Sequence, residues 1–404
     1  MDPNDSDIAT PLTSYPASSA SRPSSVSSAP SLTAAYDDQS KPVLPGAPTS
    51  SLFEIRDTPT AGRAVFATQH IDKNTLLLRA DDLTLSVLLR EYRREVCGQC
   101  FTYDYGRDLS IRDQAVGFAF CSSECRAKWQ KETGEVGVQA WTEVEKLVKK
   151  RSKEDNDMVD IDLPRPDAKE ITQAWEDTHA QAELIRTARM AELAGNVQDK
   201  NGQQGLTENG KNIGLVTKQQ RKAILKALQQ PIQADVMSFC VGGIIARYNS
   251  PQRWENLLSL AIHSSPYRST DDLRAFTRTY LHLLSILPLP LLSLTTPETL
   301  FLISSRDSHN SFGIRSLEDE GSEFFGYGCW PSASYFNHSC GPNIEKVRDG
   351  RAWEFRAGKD IEMGEEINIT YLGGEERNLS RDKRMFTLKR NWGFDCGCKR
   401  CREL

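Results

Sequence analysis

Three cysteines close together near the end of the sequence limit what this chain can fold into. Cys396, Cys398 and Cys401 lie within the final segment NWGFDCGCKRCREL. A segment this short has no core of its own, and the C-x-C-x2-C spacing puts three thiolates on one tight loop. Structural zinc is almost always held by four ligands in a tetrahedron. Three cysteines remain available as the fourth ligand on this argument: Cys240, Cys329 and Cys340.

A second group of cysteines has the spacing C-x2-C-x20-C-x3-C, which is typical of zinc sites. Its four members are Cys97, Cys100, Cys121 and Cys125. The N-terminal residues MDPNDSDIAT have no basic start and no apolar stretch, so no secretory signal is predicted. In a reducing compartment, ten cysteines are better explained as metal ligands than as disulfides. The sequence therefore predicts two zinc sites and a location in the nucleus, the cytoplasm or both.

Two stretches of unusual composition lie outside these clusters. Residues 1–48 are mainly Ser, Pro, Ala and Thr, and such a segment cannot bury enough apolar surface to fold, so we predict a disordered tail. The most apolar stretch, LHLLSILPLPLLSL (281–294), contains two prolines and is too short to span a bilayer. No membrane partner is predicted.

The periodicity of apolar residues divides the rest of the chain into strand-rich ends and a helical middle. SLFEIRDTPTAGRAVFATQHI (51–71) predicts a strand, a glycine turn and a second strand. The spacing over 82–94 predicts a helix, and residues 126–300 favour helix throughout except for polar loops. RAWEFRA (351–357) and EEINITY (365–371) predict further strands.

Three segments together resemble the SET domain of protein lysine methyltransferases. They are PSASYFNHSCGPNI (331–344), GEEINITY (364–371) and WGFDCGCKRC (392–401), and they occur in that family's order. The resemblance implies four ligands for the C-terminal zinc: Cys340, Cys396, Cys398 and Cys401. It also implies an α+β fold, in which small SET-type sheets are split by a zinc finger and a large helical insertion. A C-terminal zinc-binding post-SET loop closes this fold.

The first cysteine cluster resembles a MYND finger inserted into the SET domain, as in the SET-and-MYND proteins. A full MYND finger holds two zincs, whereas this sequence keeps the ligands of one site, which favours a structural staple over partner binding. The implied layout is a disordered tail (1–48) followed by the SET domain (49–404). The SET domain contains the finger (95–130), the helical insertion (131–300), the catalytic core (301–375) and the post-SET segment (376–404).

The resemblance implies S-adenosylmethionine as the cofactor, in addition to the two zinc ions. GRAVFAT (62–68) matches the family's Gly-rich turn, with Ala64 where a second glycine is usual, and NSFGI (310–314) matches a segment that lines the cofactor pocket. The residues implied to bind the cofactor are Gly62, Arg63, Ala64, Asn310, Phe312, Ser334, Asn337, His338, Tyr371 and Phe394.

Tyr371 is implied to be the catalytic residue, with its hydroxyl near the methyl group and the acceptor amine. Methyl transfer requires a neutral amine, and a dry channel beside a sulfonium disfavours the charged form of a lysine. Trp392 stands where many SET-and-MYND proteins have a channel tyrosine, so it narrows the channel. Two functions therefore compete. One is a lysine N-methyltransferase acting on a histone or other protein, and the other is a SET-fold adaptor with little or no turnover.

The net charge of the chain and one acidic segment indicate which binding partners it suits. The net charge of -5 does not suit the coating of nucleic acid, which needs clustered Lys and Arg, so no direct nucleic-acid partner is predicted. The segment SLEDEGSEFF (316–325) carries four carboxylates: Glu318, Asp319, Glu320 and Glu323. Both of its flanks belong to the cofactor pocket by resemblance. We therefore expect this loop near the active site, where it would attract a basic peptide such as a histone tail in chromatin.

Overall fold

The computed structural model describes residues 44–59, 61–151, 164–196, 216–317, 321 and 323–403. Of the tail predicted to be disordered, residues 1–43 lie outside this set. Residues 44–48 are held against the core, since the carbonyl oxygen of Pro45 accepts hydrogen bonds from Ser259 Oγ at 2.7 Å and from the Tyr335 hydroxyl at 3.2 Å. The prediction of disorder is therefore wrong for these last five residues, because two distant polar side chains bind their backbone.

Eleven short strands lie in the described part of the chain. They are β1 Phe53–Thr58, β2 Gly62–Ala67, β3 Leu76–Ala80, β4 Leu85–Leu88, β5 Ile111–Asp113, β6 Phe118–Phe120, β7 Ser311–Arg315, β8 Phe324–Cys329, β9 Ile344–Asp349, β10 Ala352–Ala357 and β11 Glu366–Ile367. They form antiparallel sheets in the orders β1-β2-β11, β3-β10-β9, β4-β8-β7 and β5-β6.

The helices fill the middle of the chain and its C-terminal end. They are α1 Ser123–Arg151, α2 Ala168–Asn196, α3 Lys218–Leu228, α4 Ala234–Asn249, α5 Pro251–Leu258, α6 Thr270–Ile286, α7 Pro297–Asn310, α8 Arg381–Trp392 and α9 Lys399–Arg402. Side-chain caps define several of their first turns. Thr217 and Gln220 form a capping box at α3, and Ser250 and Thr296 each precede a proline that begins a helix.

The predicted α+β fold of small sheets and inserted helices is confirmed. The strand, turn and strand over 51–71 are β1 and β2, and Gly62 adopts a φ of +66°, which suits glycine at that turn. The helix predicted over 82–94 is wrong. This segment forms β4, which pairs with β8, and one 3₁₀ turn, Arg90–Tyr92. Pairing along β8 buries both Leu85 and Val87, and this packing overrides the local helical spacing.

The apolar stretch 281–294 is part of the core. It covers the end of α6 and the 3₁₀ turn Leu289–Leu291, and Leu283, Leu284, Leu287 and Leu291 are all fully buried. Burial against other helices therefore accounts for its composition. Across the described ranges, no helix is both long and apolar enough to cross a membrane.

The Asn-His-Ser-Cys segment runs beside the end of the EEINITY segment. The amide of Ile369 donates to the carbonyl oxygen of Asn337 at 3.0 Å, and the amide of Ser339 donates to the carbonyl oxygen of Ile369 at 2.8 Å. His338 and Ile369 thereby form a parallel bridge. Only Glu366–Ile367 of the strand predicted over 365–371 pairs as a regular strand, because its later residues bond to this segment instead. The pairing of these two segments places Tyr371 next to His338.

Candidate active site and two cysteine sites

The four cysteines predicted to bind the C-terminal zinc lie together. The Sγ atom of Cys340 is 3.9 Å from that of Cys396 and 3.5 Å from that of Cys401, and all four sulfurs, including that of Cys398, lie within 4.8 Å of one another. A tetrahedral zinc with Zn–S bonds of about 2.3 Å requires sulfurs about 3.8 Å apart. The quartet fits this ion.

The other two candidates for the fourth ligand lie elsewhere in the fold. Cys240 is in α4 and Cys329 is at the end of β8, and both are completely buried. They behave as small apolar side chains, as is common for free cysteines in cores. Cys340 is therefore the fourth member of the C-terminal cluster, as the resemblance implies.

Arginine side chains from the C-terminal helices surround this quartet. Arg384, which is 4% exposed, places Nη2 3.8 Å from Cys401 Sγ. Arg381 Nε donates to the carbonyl oxygen of Cys401 at 2.6 Å, and Arg400 Nη1 donates to that of Cys340 at 2.9 Å. Four thiolates around one Zn²⁺ carry a net charge of about -2, which these guanidinium groups offset.

The finger cysteines also form a quartet. Cys100 Sγ and Cys125 Sγ each lie 3.5 Å from Cys121 Sγ, and the four sulfurs, with that of Cys97, fall within 4.8 Å. Phe101 has a φ of +62°, which turns the chain after the first cysteine pair, so that Tyr103 forms a bridge with Val96. The set of donors and its spacing match a second tetrahedral zinc, so the chain can hold two.

Tyr371 lies where the EEINITY segment meets the Asn-His-Ser-Cys segment. Its hydroxyl donates to the carbonyl oxygen of Phe336 at 3.1 Å, and its amide donates to His338 Nδ1 at 3.0 Å. The ring is 5.5 Å from that of Trp392 and 6.3 Å from that of Phe394, measured between centroids. Burial raises the pKa of Tyr371 above its usual value, so the phenol keeps its proton.

His338 joins Tyr371 to the C-terminal quartet. Because an amide can only donate, the Tyr371 N–H fixes Nδ1 of His338 as an acceptor. Any proton on the neutral ring therefore sits on Nε2, which lies 3.3 Å from Cys340 Sγ. Burial, together with the charges of Lys346 and Arg384, lowers the pKa of His338 to about 4. The imidazole is neutral near pH 7 and can donate to a thiolate.

Asn337 and Arg63 are held by neighbouring groups. Asn337 Nδ2 donates to the carbonyl oxygen of Arg63 at 3.0 Å and lies 3.3 Å from Glu366 Oε1. Arg63 donates through Nη1 to the Tyr335 hydroxyl at 2.9 Å and through Nη2 to the carbonyl oxygen of Ser259 at 2.6 Å. Gly62 is exposed and Ala64 fully buried, so the turn presents backbone rather than side chains.

The remaining predicted cofactor residues have three different sets of neighbours. Asn310 donates from Nδ2 to the carbonyl oxygens of Ala261 and Arg306, and Ser334 Oγ donates to the carbonyl oxygen of Asn310 at 2.9 Å. Phe394 lies 5.9 Å from His338, measured between ring centroids. Phe312 packs deeper, among three aromatic rings: Trp330, Trp353 and Phe355.

The sequence reasoning did not single out Glu366, Arg384 or Lys346. Glu366 belongs to the Gly-Glu-Glu motif itself, so its position beside the Asn-His-Ser-Cys core was a usable signal. Arg384 sits one helical turn into α8 with no motif around it. Lys346 shares the inward face of β9 with Ile344, and only the register of β9 with β10 reveals it.

The described end of the acidic segment, at Glu323, does not lie where we expected. Glu318, Asp319 and Glu320 lie outside the described residues, whereas Glu323 accepts a hydrogen bond from the Tyr92 hydroxyl at 2.9 Å. Ser311 pairs with Cys329 at one end of the β7–β8 hairpin, and the described end of the acidic segment is at the other. Four residues of strand separate these ends by roughly 13 Å. Glu323 therefore faces the finger, because the hairpin carries it away from Asn310.

Comparison with known proteins agrees with this geometry. The profile of the SET domain family matches residues 62–372. A yeast protein described as "Potential protein lysine methyltransferase SET6" (Saccharomyces cerevisiae) is 27% identical over 389 residues, covering 88% of this chain and 96% of the yeast protein. "Histone-lysine N-methyltransferase SMYD3" from Homo sapiens is 39% identical over 92 residues, covering 23% of this chain and 20% of its own length.

Two further matches are longer than the human one. "Histone-lysine N-methyltransferase ASHR2" from Arabidopsis thaliana is 29% identical over 177 residues, covering 39% of this chain and 44% of its own. The solved structure titled "Crystal structure of the SET domain of LSMT bound to Lysine and AdoHcy" aligns with 87% of this chain and 54% of its own. That alignment has 13% identity and a TM-score of 0.26.

Proposed function

Since the chain belongs to the SET-domain family, we propose that it is an S-adenosylmethionine-dependent protein-lysine N-methyltransferase. Relatives described as lysine methyltransferases support the proposal, and one of them matches along nearly its whole length. The observation that carries it is the position of Tyr371, whose amide bonds to a histidine that contacts a zinc-type cysteine. This arrangement ties a buried phenol to the loop that would close over the cofactor.

The residues around Tyr371 fit a cofactor with a sulfonium and an adenine. The turn Gly62–Ala64 would supply backbone groups, Asn337 and His338 would supply polar contacts, and Phe394 would cover the adenine. S-adenosylmethionine, when bound, supplies a methyl group whose carbon is electrophilic because it is bonded to a positively charged sulfur. The chain has to hold an acceptor amine in line with that carbon and keep water away.

Tyr371 would orient the amine rather than remove its proton. Its raised pKa keeps the hydroxyl protonated, and that proton is already donated to the carbonyl oxygen of Phe336. The lone pairs on the hydroxyl oxygen therefore remain for polarised C–H and N–H groups nearby. The acceptor lysine loses its proton to water because burial beside a cation disfavours its charged form.

A cleft of about 1750 Å³ runs from the finger to Trp392, and both acidic and basic side chains line it, including Asp307, Glu376, Arg268 and Arg390. This mixture does not select for a strongly basic peptide by charge alone. A histone or another lysine-containing protein of the nucleus or cytoplasm is proposed as the substrate, in line with the histone-lysine names of relatives.

A second candidate is a SET-fold adaptor with weak or no turnover. Trp392 favours it, because an indole packed 5.5 Å from the Tyr371 ring narrows the space for an acceptor. Ala64 adds a methyl group where the family's turn usually has glycine. The two candidates differ in one measurable property, which is transfer of a methyl group to protein.

The test is transfer of labelled methyl from S-adenosylmethionine to proteins of a lysate by the purified full chain. Tyr371→Phe should lower the rate roughly 10²-fold while binding of the demethylated cofactor changes less than about twofold, as expected for an interaction made in the transition state. Tyr248→Phe, at a 40% exposed tyrosine, is the matched control and should keep full activity. Absence of transfer would favour the adaptor, whereas an unchanged rate in Tyr371→Phe would show that Tyr371 is only a packing residue.

A further inference from the structure

One lysine amine of this chain lies among aromatic rings next to the candidate site. Lys346 Nζ is 5.2 Å from the ring centroid of Phe312 and 5.9 Å from that of Trp353. Phe312 is one of the residues implied to line the cofactor pocket. Within the described ranges, the Lys346 amine makes no hydrogen bond or ion pair, and its polar interaction there is with these ring faces.

The surroundings of Lys346 disfavour its charge. Burial, and secondarily the positive charge of Arg377, lower the pKa of Lys346 to about 8. The amine of Lys346 also interacts electrostatically with the side chain of His338, since the charge of Lys346 contributes to the lowered pKa of His338. The charged and titratable groups that interact with Lys346 are thus a guanidinium and a neutral imidazole.

A structural role does not account for this lysine. A half-buried amine held over ring faces loses part of its hydration, and an apolar side chain would fill the same space without that cost. Trp353 Nε1 is also buried and without a hydrogen-bond partner in the described part of the chain. The aromatic pocket therefore holds a half-buried amine and one buried indole N–H that has no hydrogen-bond partner among the described residues.

We propose that Lys346 is a methyl acceptor of this same active site, modified within its own chain. The inference rests on the proposed methyltransferase function. Its neutral amine uses the nitrogen lone pair to form a bond to the methyl carbon of S-adenosylmethionine. The carbon–sulfur bond breaks with its electron pair going to sulfur, which gives S-adenosylhomocysteine. The new secondary ammonium then releases one proton to water.

The lowered basicity gives Lys346 an advantage over surface lysines. At pH 8 about half of its amine is neutral, against about 0.4% for a lysine with an ordinary pKa of about 10.4, which is a difference of roughly a hundredfold. In its protonated form the methylated amine keeps its contacts with the ring faces and gains apolar contact with Phe312 and Trp353, so the product remains held by the same rings.

The experiment uses the full chain and S-adenosylmethionine with a deuterated methyl group, followed by mass spectrometry of the peptide that contains Lys346. We expect deuterated methyl on Lys346 at roughly ten times or more the level on Lys359, which is an exposed lysine paired with Glu365. Tyr371→Phe should abolish the label. Lys346→Arg keeps the cation on the rings without an amine acceptor, so it should remove this label and retain transfer to lysate proteins.

Two further readouts decide the proposal. The first-order rate should stay constant over a tenfold dilution of the protein, and a rate that falls with dilution would overturn modification within one chain. Lysate proteins labelled while Lys346 stays unmodified would overturn the inference and leave the methyltransferase function standing. No label on either would overturn both. Methyl already present on Lys346 as purified supports the proposal only if the Tyr371→Phe protein lacks it.

Discussion

The two cysteine quartets have identical ligands but join different parts of the molecule. In the C-terminal quartet Cys340 and Cys396 are 56 residues apart, whereas in the finger Cys100 and Cys121 are 21 apart. The difference in loop-closure free energy between these separations is only about 1 kcal/mol. Chain entropy therefore does not distinguish the sites, and what distinguishes them is the set of side chains that each one contacts.

The finger quartet contacts structural residues, whereas the C-terminal quartet contacts the candidate active site. Strand β6 of the finger packs Phe118 against Trp129 and Trp141. The C-terminal quartet instead touches His338 through Cys340, and His338 accepts the amide of Tyr371. The same set of ligands thus lies within an inserted finger at one site and contacts, through His338, the candidate catalytic tyrosine at the other.

We expect the largest difference between the two sites when one cysteine ligand is removed from each. Cys398→Ser should lower methyl transfer by roughly 10²-fold or more, because the loop carrying Phe394 would no longer be fixed. Cys121→Ser should lower the melting temperature yet keep transfer per folded molecule within about threefold. Metal analysis should find about two zincs per wild-type chain and about one in each variant. Equal losses of activity would remove the distinction between the sites.

Side chains that bond to the sulfurs offer a finer comparison. His338→Ala removes the group between Cys340 and Tyr371, and loss of a side chain that hydrogen-bonds to a metal ligand typically costs about 10–100-fold in activity. Thr102→Val is the counterpart at the finger, where Thr102 Oγ1 lies 3.1 Å from Cys100 Sγ. We expect its methyl transfer to stay at the wild-type rate. A similar loss in both variants would mean that each zinc supports the active site equally.

Each region also contains a cation over aromatic rings, and replacing these two cations should change the free energy of unfolding in opposite directions. Arg93, over Phe118 and Trp141, donates to Ser238 Oγ at 2.6 Å and to the carbonyl oxygen of Leu88 at 3.0 Å. Arg93→Met should therefore destabilise the fold. Lys346→Met should stabilise it by about 1–3 kcal/mol at neutral pH, since burial of the charged amine is a cost.

The pH dependence checks the sign of the Lys346 effect. The folded pKa of about 8 lies below the ordinary value of about 10.4, so between these values the unfolded chain binds more protons and stability rises with pH. The advantage of Lys346→Met should be full below pH 8 and shrink across that window. Chemical denaturation from pH 7 to 10 measures it, and a constant difference would show that the amine is not perturbed by folding.

Sequence reasoning was most successful where the chemistry is local or carried by a motif. The spacing of Cys97, Cys100, Cys121 and Cys125 was sufficient to predict one quartet. The choice of Cys340 over Cys240 and Cys329 needed the family resemblance, because no spacing rule links residues 56 apart. The strand over 85–88 was missed, since its pairing partner β8 lies far along the chain.

Side-chain contacts that depend on strand register could not be predicted from the sequence. Lys346 meets Phe312 and Trp353 only because β9, β10 and β7 align as they do. For the same reason, the direction of the β7–β8 hairpin places Glu323 at the finger rather than at Tyr371. The individual roles of Asn310, Ser334, Asn337 and Phe394 in holding the cofactor stay predictions.

Calorimetric titration of S-adenosylhomocysteine into the wild-type, Cys121→Ser and Cys398→Ser proteins tests most directly whether the C-terminal quartet builds the cofactor site. The account predicts about one equivalent bound by the wild type and by Cys121→Ser, and no measurable binding by folded Cys398→Ser. Binding retained in Cys398→Ser, or lost equally in both variants, would contradict it.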